Sequence, residues 1–142
     1  MPNLTHEVTL VASAAKTATG NSGALTLPTG DLYTFLVSVT AVSGTSPTMD
    51  IVFQNTPDDG TTWVNMPLRT SQITAARAEY FSMPQTGIAF AADSSVTAAT
   101  GGILSENYVF SRKIRILWTI GGTSPSFTTA VYAWIKTLGR GC

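Results

Sequence analysis

Charge is scarce in this sequence. Only 11% of its 142 residues are Asp, Glu, Lys or Arg, and eight basic residues balance eight acidic ones, whereas ordinary soluble domains carry about 25% charged residues. A net charge of zero removes the attraction for phosphate on which nucleic-acid binding depends, so we expect no nucleic-acid partner. The densest basic group, Arg112, Lys113 and Arg115, divides between the two faces of a strand. Weakly charged surfaces tend to associate, and we therefore expect a protein that works in an assembly.

Reactive side chains are almost as rare. The sequence holds one cysteine, Cys142, and one histidine, His6, which allows no intrachain disulfide and supplies too few ligands for zinc. A nucleophilic Cys–His pair would need rigid orientation by a third group, and the ends of the chain offer none. Asp58 and Asp59 are neighbours in a tight turn and would point apart, and no other carboxylates form an evident pair for glycoside hydrolysis. We expect no enzymatic activity, no metal and no cofactor.

Long apolar runs are missing as well. No stretch is long and apolar enough to cross a bilayer. The first residues, Met1 to Glu7, lack the basic and apolar regions of a secretory leader. We expect a protein that is made in a cytoplasm, is not exported by a conventional route and has no membrane partner.

What the sequence does contain is period-two alternation of apolar and polar residues, which is typical of half-buried antiparallel strands. The pattern predicts strands over residues 7–13, 24–27, 32–42, 49–54, 79–83, 107–120 and 127–136, and at most one helical turn within 73–80. It predicts an all-β fold, an antiparallel β-sandwich of jelly-roll type with about seven or eight strands. Residues 1–142 would form one domain, with 1–6 as an N-terminal arm and 139–142 as a loose tail.

The phrase Gly-Thr-Ser-Pro occurs twice, at Gly44–Pro47 and at Gly122–Pro125, each time between two runs of strand-forming residues. Glycine can adopt a positive φ, proline fixes its own φ, and Ser or Thr can bond the local backbone. The repeated phrase therefore predicts two equivalent hairpin turns, one in each half of the sandwich.

Residues 56–63 read Thr-Pro-Asp-Asp-Gly-Thr-Thr-Trp and resemble the Asp-box pattern Ser/Thr-x-Asp-x-Gly-x-Thr-Trp at every specified position. In proteins that carry it, often sialidase-like propellers, the box is a β-hairpin turn. Asp58 is expected to accept backbone N–H groups, Gly60 to supply a positive φ, and Trp63 to cover the hairpin. A chain of this length has no room for repeated propeller blades, so we interpret the box as a structural turn and not as a sugar site.

Aromatic side chains are the remaining candidates for a binding surface. Trp118 lies in line with Ile114 and Ile116 and is expected in the core, whereas Tyr132 and Trp134 share the face opposite Val131 and Ile135. An exposed Tyr-Trp pair fits either a subunit contact or a platform for a sugar ligand, and the enrichment of aromatics at interfaces favours the contact. A long segment of small residues, 87–102, is predicted to be a loop. The candidate partner-contact residues come from the start of the chain, from this loop and the residues directly after it, and from the Tyr-Trp pair: Asn3, Leu4, His6, Phe90, Ile103, Leu104, Tyr132 and Trp134.

The segments 37–47 and 116–125, with Asp58–Trp63 between them, resemble small virion proteins of tailed bacteriophages. The resemblance covers Leu32–Trp63 and Tyr108–Leu138. It implies a structural β-sandwich, a capsid decoration (cement) protein that binds the major capsid lattice and copies of itself as a homo-oligomer, on the phage head surface. It brings no catalytic residues. A carbohydrate- or receptor-binding module of a phage tail is the alternative that the aromatic pair leaves open.

Overall fold

The computed structural model describes residues 4–84 and 111–137. These residues form seven strands and no helix, and so no helix that could span a membrane. The strands are β1 (Leu4–Lys16), β2 (Gly20–Asn21), β3 (Leu25–Thr26), β4 (Leu32–Asn55), β5 (Val64–Arg69), β6 (Arg77–Pro84) and β7 (Lys113–Thr137). All strand pairs are antiparallel, which confirms the predicted all-β class.

Two long strands organise the fold. β4 and β7 pair along almost their whole length, from Leu32 opposite Lys136 to Asn55 opposite Ile114. At about 3.3 Å per residue, a straight strand would hold the Cα atoms of Phe35 and Phe53 about 60 Å apart. Their rings instead lie 5.0 Å apart, centroid to centroid. The paired strands therefore fold back on themselves as one ribbon.

Folding the ribbon creates two sheets that face each other. The first sheet has the order β1, residues 127–137 of β7, residues 32–43 of β4, and β6. The second sheet has β2 and β3 at one edge, then residues 113–121 of β7, residues 48–55 of β4, and β5. The first strand segment thus pairs with the last, the second with the next to last, and so on inwards. This is the connectivity of a jelly roll, and the prediction of that fold is confirmed.

The two Gly-Thr-Ser-Pro phrases are not hairpin turns, and that prediction is wrong. Both lie inside the long strands, at the corner where β4 and β7 pass together from one sheet to the other, with Thr45 opposite Thr123. The ladder shifts register on each side of this pair. Ser46 and Ser124 both have φ of 48°, and Gly44 and Gly122 have φ of 111° and 107°. The phrase therefore builds two equivalent bends that oppose each other in one corner, in keeping with the use of bulges where strands change sheets.

The space between the sheets is filled by the alternating residues that the sequence marks as apolar. Tyr33, Phe35, Phe53, Phe127 and Ile135 are among the largest fully buried side chains. Trp118 is also buried, as predicted. The alternation fails where the ladders shift register: in β1 both Leu10 and Val11 are buried while Ala12 is exposed, and in β4 Ala41 is exposed.

Smaller differences concern the ends of segments. β1 begins at Leu4, so residues 4–6 pair with 135–137 instead of forming part of an arm. Residues 20–21, which lie outside the predicted strands, pair with Trp118 and Leu117. Residues 77–80, where one helical turn was allowed, belong to strand β6. In each case the segment is a strand because it pairs with a strand that is distant in sequence, and the sequence pattern does not identify that partner.

The geometry of the corner predicts that substituting Gly44 destabilises the protein more than substituting Gly23. A Cβ atom at Gly44 would lie 2.7 Å from the Ser124 carbonyl oxygen, whereas one at Gly23, where φ is +74°, meets nothing within 4 Å. Gly23→Ala carries only the conformational cost of a positive φ and should lower the free energy of unfolding by about 1 kcal/mol. Gly44→Ala adds a clash with backbone and should lower it by about 3 kcal/mol or more. Urea denaturation measures both, and equal losses would contradict the corner geometry.

Candidate functional site

The outer surface of the first sheet carries a cluster of large apolar side chains. Strand pairing sets Tyr80, Leu36 and Tyr132 side by side across β6, β4 and β7, and Trp134 follows Tyr132 on the same side of β7. The Tyr132 and Trp134 rings lie 6.3 Å apart at 48°. Tyr80 is 62% exposed, and the other three are half-buried. We call these four residues, with their neighbours on this surface, the aromatic face.

Polar side chains frame the aromatic face. Glu7 on β1 is the cross-strand neighbour of Trp134, and Lys136 is the next outward-facing residue along β7. Neither makes an ion pair or hydrogen bond with another described residue. Between β4 and β6 the hydroxyls of Thr34 and Ser82 bond each other at 2.9 Å. The aromatic face thus presents apolar surface together with one acid and one base, Glu7 and Lys136, that no described residue pairs.

The outer surface of the second sheet has the opposite character. Gln54 donates to Asn65 at 2.8 Å and accepts from Arg115 at 2.7 Å, and the Arg115 guanidinium lies 4.6 Å from the centroid of the Trp63 ring. Lys113 Nζ lies 2.6 Å from Asp59 Oδ1. The polar groups here bond one another within the chain. The aromatic face is therefore the better candidate for a contact with another molecule.

An ion pair between an exposed arginine and a buried glutamate holds the edge strand that presents Tyr80. Glu79 is 5% exposed; its Oε1 lies 2.8 Å from Arg77 Nη2 and accepts a hydrogen bond from the Ser71 hydroxyl at 2.7 Å. Arg77 also donates to the carbonyls of Ser71 and Gln72. These bonds tie β6 to the segment that follows β5. Glu79 Oε2 accepts no hydrogen bond from the described residues.

The structure places the predicted contact residues unevenly. Tyr132 and Trp134 lie together on the face opposite Val131 and Ile135, as predicted. His6 is exposed but lies on the other side of β1 from Glu7, and the backbone of Leu4 pairs with Thr137. The candidates Asn3, Phe90, Ile103 and Leu104 lie outside the described residues.

Sequence reasoning missed Leu36 and Tyr80 as site residues. Alternation places Leu36 on the outward side of its strand, which is a usable signal. That Tyr80 and Tyr132 flank it follows only from the pairing of β4 with both β6 and β7. Within residues 4–84 and 111–137, no three His, Cys, Asp or Glu side chains come together as potential metal ligands.

The Asp-box turn has the predicted geometry. It joins β4 to β5 as a hairpin in which Asn55 pairs with Val64. Asp58 Oδ1 accepts a hydrogen bond from the Thr62 backbone N–H at 2.6 Å, and Gly60 has φ of 103°. The Trp63 ring lies next to Gly60, where a Cβ atom would be 3.9 Å from the ring. Hydrogen bonds from the Thr62 hydroxyl and backbone N–H, together with one from Thr56, hold the pKa of Asp58 below its usual value of 3.8.

Comparison with known proteins gives one point of reference. No family model matches the sequence, and no curated protein matches it. A chain in the solved structure of infectious bursal disease virus, Gx strain, is similar in fold, with a TM-score of 0.50 and 10% sequence identity. The match covers 99% of this chain and 33% of that one, so this chain spans about a third of its length. At such low identity the likeness is one of fold.

The Asp58 carboxylate predicts a pH effect of known sign. Because its folded pKa is depressed, its stabilising contribution is complete above about pH 4 and is lost as the pH falls through the folded pKa. Asp58→Asn, which cannot ionise, should flatten the fall of the unfolding free energy below about pH 4. Thr62→Val, which keeps the charge but removes a hydroxyl donor, should raise the Asp58 pKa, measured by NMR titration of the carboxyl carbon. Parallel pH profiles for wild type and Asp58→Asn would show that the bonds do not depress the pKa.

Proposed function

We propose that this protein is a structural component of a virus particle and, more narrowly, a decoration (cement) protein that coats a phage head. The observation that carries the proposal is the similarity of fold, over 99% of the chain, to a chain in the structure of a virus. Jelly rolls also serve lectins and enzymes, so the fold alone names no function. The surface of the molecule supplies the rest of the support.

Two properties of the surface favour assembly. The whole sequence has no net charge, so copies do not repel one another at neutral pH. The aromatic face offers two tyrosines and a tryptophan beside a leucine, and tyrosine and tryptophan are enriched at protein–protein contacts. The opposite surface satisfies its own polar groups and suits exposure to water. A molecule with one adhesive face and one solvated face suits a protein that binds on a particle surface.

The resemblance to small virion proteins of tailed bacteriophages supports the narrower proposal. In this role the chain would bind the major capsid lattice from outside, as a homo-oligomer, and stabilise the head against internal pressure. No cofactor and no catalytic group enters the proposal. The long ladder of β4 and β7, anchored by the corner, gives the rigidity that a stabilising contact requires.

A carbohydrate- or receptor-binding module of a phage tail is the second candidate, and one observation favours it. Trp134 is half-buried on the outer surface beside Tyr132, near the carboxylate of Glu7 and the hydroxyl of Thr34. Sugars stack on such rings and bond such groups. Against it, Leu36 lies between Tyr80 and Tyr132 and offers a sugar no hydrogen bond.

The proposal is tested on particles assembled with and without this chain. We expect mass spectrometry to find it in purified particles in many copies, and cryo-electron microscopy to place it outside the head shell. Particles lacking it should release their genome at a lower temperature, and adding the purified protein should restore the wild-type temperature. Absence from particles, or failure of the added protein to sediment with them, overturns the proposal. Location at the tail, with glycan binding lost in Trp134→Ala, would favour the second candidate.

A further inference from the structure

We infer that the occupant of the aromatic face is a second copy of this chain, related to the first by a two-fold axis that lies in the plane of the face. The inference rests on the proposed function, since a particle surface supplies the crowding that a weak contact needs. The inference adds to the proposed function the partner that binds the aromatic face and the symmetry of that contact. Three properties of the face carry it: its charge, the layout of its side chains and its area.

The charges of the aromatic face complement themselves. Its only described acid and base, apart from tyrosine hydroxyls, are Glu7 and Lys136. Both lack an ion pair with any described residue. A basic or an acidic partner would leave one of them opposed by a like charge. A two-fold contact in which each copy's Glu7 meets the partner's Lys136 pairs both at once, as an isologous interface requires.

The layout of the side chains allows that contact. Strands lie about 4.8 Å apart, and outward residues repeat about every 6.7 Å along a strand. On this grid, a two-fold axis that passes diagonally through Trp134 and Leu36 sets Glu7 opposite the partner's Lys136. The same axis sets Tyr80 over the partner's Ser38, so that a large side chain meets a small one. Trp134 and Leu36 each approach their own counterparts on the axis, which forms an apolar centre.

The apolar character of the aromatic face favours a second copy of the chain over a sugar as its partner. Leu36 occupies the middle of the row between Tyr80 and Tyr132, where a glycan would need polar groups. The nearby hydroxyls of Thr34 and Ser82 already bond each other. Burying such a surface against an equally apolar copy of itself brings Leu36 and the aromatic rings into contact with apolar atoms, whereas a hydroxylated ligand placed on Leu36 would lose hydrogen bonds to water.

The area of the face sets the strength of the contact. Four strands and seven residues of each give a face of about 19 Å by 24 Å, or about 450 Å². Stable interfaces bury about 800 Å² on each partner. The dimer should therefore be weak in dilute solution and become populated where many copies are held close together, as on a capsid lattice.

The first test is sedimentation velocity of the intact chain from about 10 µM to 1 mM, the range in which so small an interface is measurable. We expect wild type to shift from monomer to dimer across this range. Tyr80→Ser should weaken the dimer at least about tenfold, a loss typical of an interface aromatic. Tyr80 is 62% exposed, so this variant should fold. Val64→Ser is the matched control, because Val64 is 48% exposed but lies on β5 of the other sheet, and it should dimerise like wild type.

The second test uses charge reversal to identify the two-fold axis. Chains with Glu7→Lys and chains with Lys136→Glu should each remain monomeric alone, because like charges meet twice across the axis. Mixed together, the two variants should form a heterodimer, because opposite charges then meet at both positions. The heterodimer is detected by native mass spectrometry, and its formation should weaken at high salt.

The outcomes separate this inference from the proposed function. A wild-type chain that stays monomeric to 1 mM, a dimer that Tyr80→Ser leaves unchanged, or a charge-reversed mixture without heterodimer overturns the inference, even if the protein is found in particles. A dimer with the expected variant pattern supports the inference, even if the protein is absent from particles, and in that case only the proposed function fails.

Discussion

The close approach of two backbones at one corner is the constraint on which the structure depends. Gly44 has the backbone of residues 123–125 against it, and Gly122 has that of residues 45–47, with room for no Cβ atom at either position. Because both strands bend at the same place, they remain hydrogen-bonded while changing sheets. The bend brings Phe35 onto Phe53, closes the apolar interior and leaves each sheet with one surface turned outward. The core and both outer surfaces therefore follow from a contact between backbones.

The two outer surfaces meet water in different ways. On the second sheet, amide and guanidinium groups form hydrogen bonds with one another, and the Arg115 guanidinium packs on the Trp63 ring. On the first sheet, residues with hydroxyl groups surround aromatic rings and Leu36, which are mainly apolar. The ion pair of Arg77 and Glu79 fixes the edge strand beneath Tyr80, so the exposed ring sits on a firm support. The two outer surfaces of the described residues therefore differ in chemical character, although the total charge of the sequence is zero.

Alternation along the chain was enough to predict the strand class, the buried sides of β4 and β7 and the placement of Tyr132 and Trp134 on the face opposite Val131 and Ile135, and the Asp-box motif predicted its hairpin. It was not enough to tell a corner from a hairpin, because both need a glycine at positive φ and a proline of fixed φ. The difference lies in the partner: Thr45 pairs with Thr123, far away in sequence, and not with a residue across its own turn. For the same reason the pattern gave two of the four central residues of the aromatic face and left out their neighbours on other strands.

The pairing of β4 with β7 also bears on how the chain acquires its fold during synthesis. β7 lies between β1 and β4 in the first sheet and beside β4 in the second, and among the described strands it comes last in chain order. Until β7 emerges from the ribosome, no strand connects β1 with β4, and the side chains that will fill the interior remain exposed to water. Folding must therefore wait for most of the chain, and the long-range ladder makes it slow. A nascent chain of this kind is exposed to aggregation for longer than one built from local hairpins.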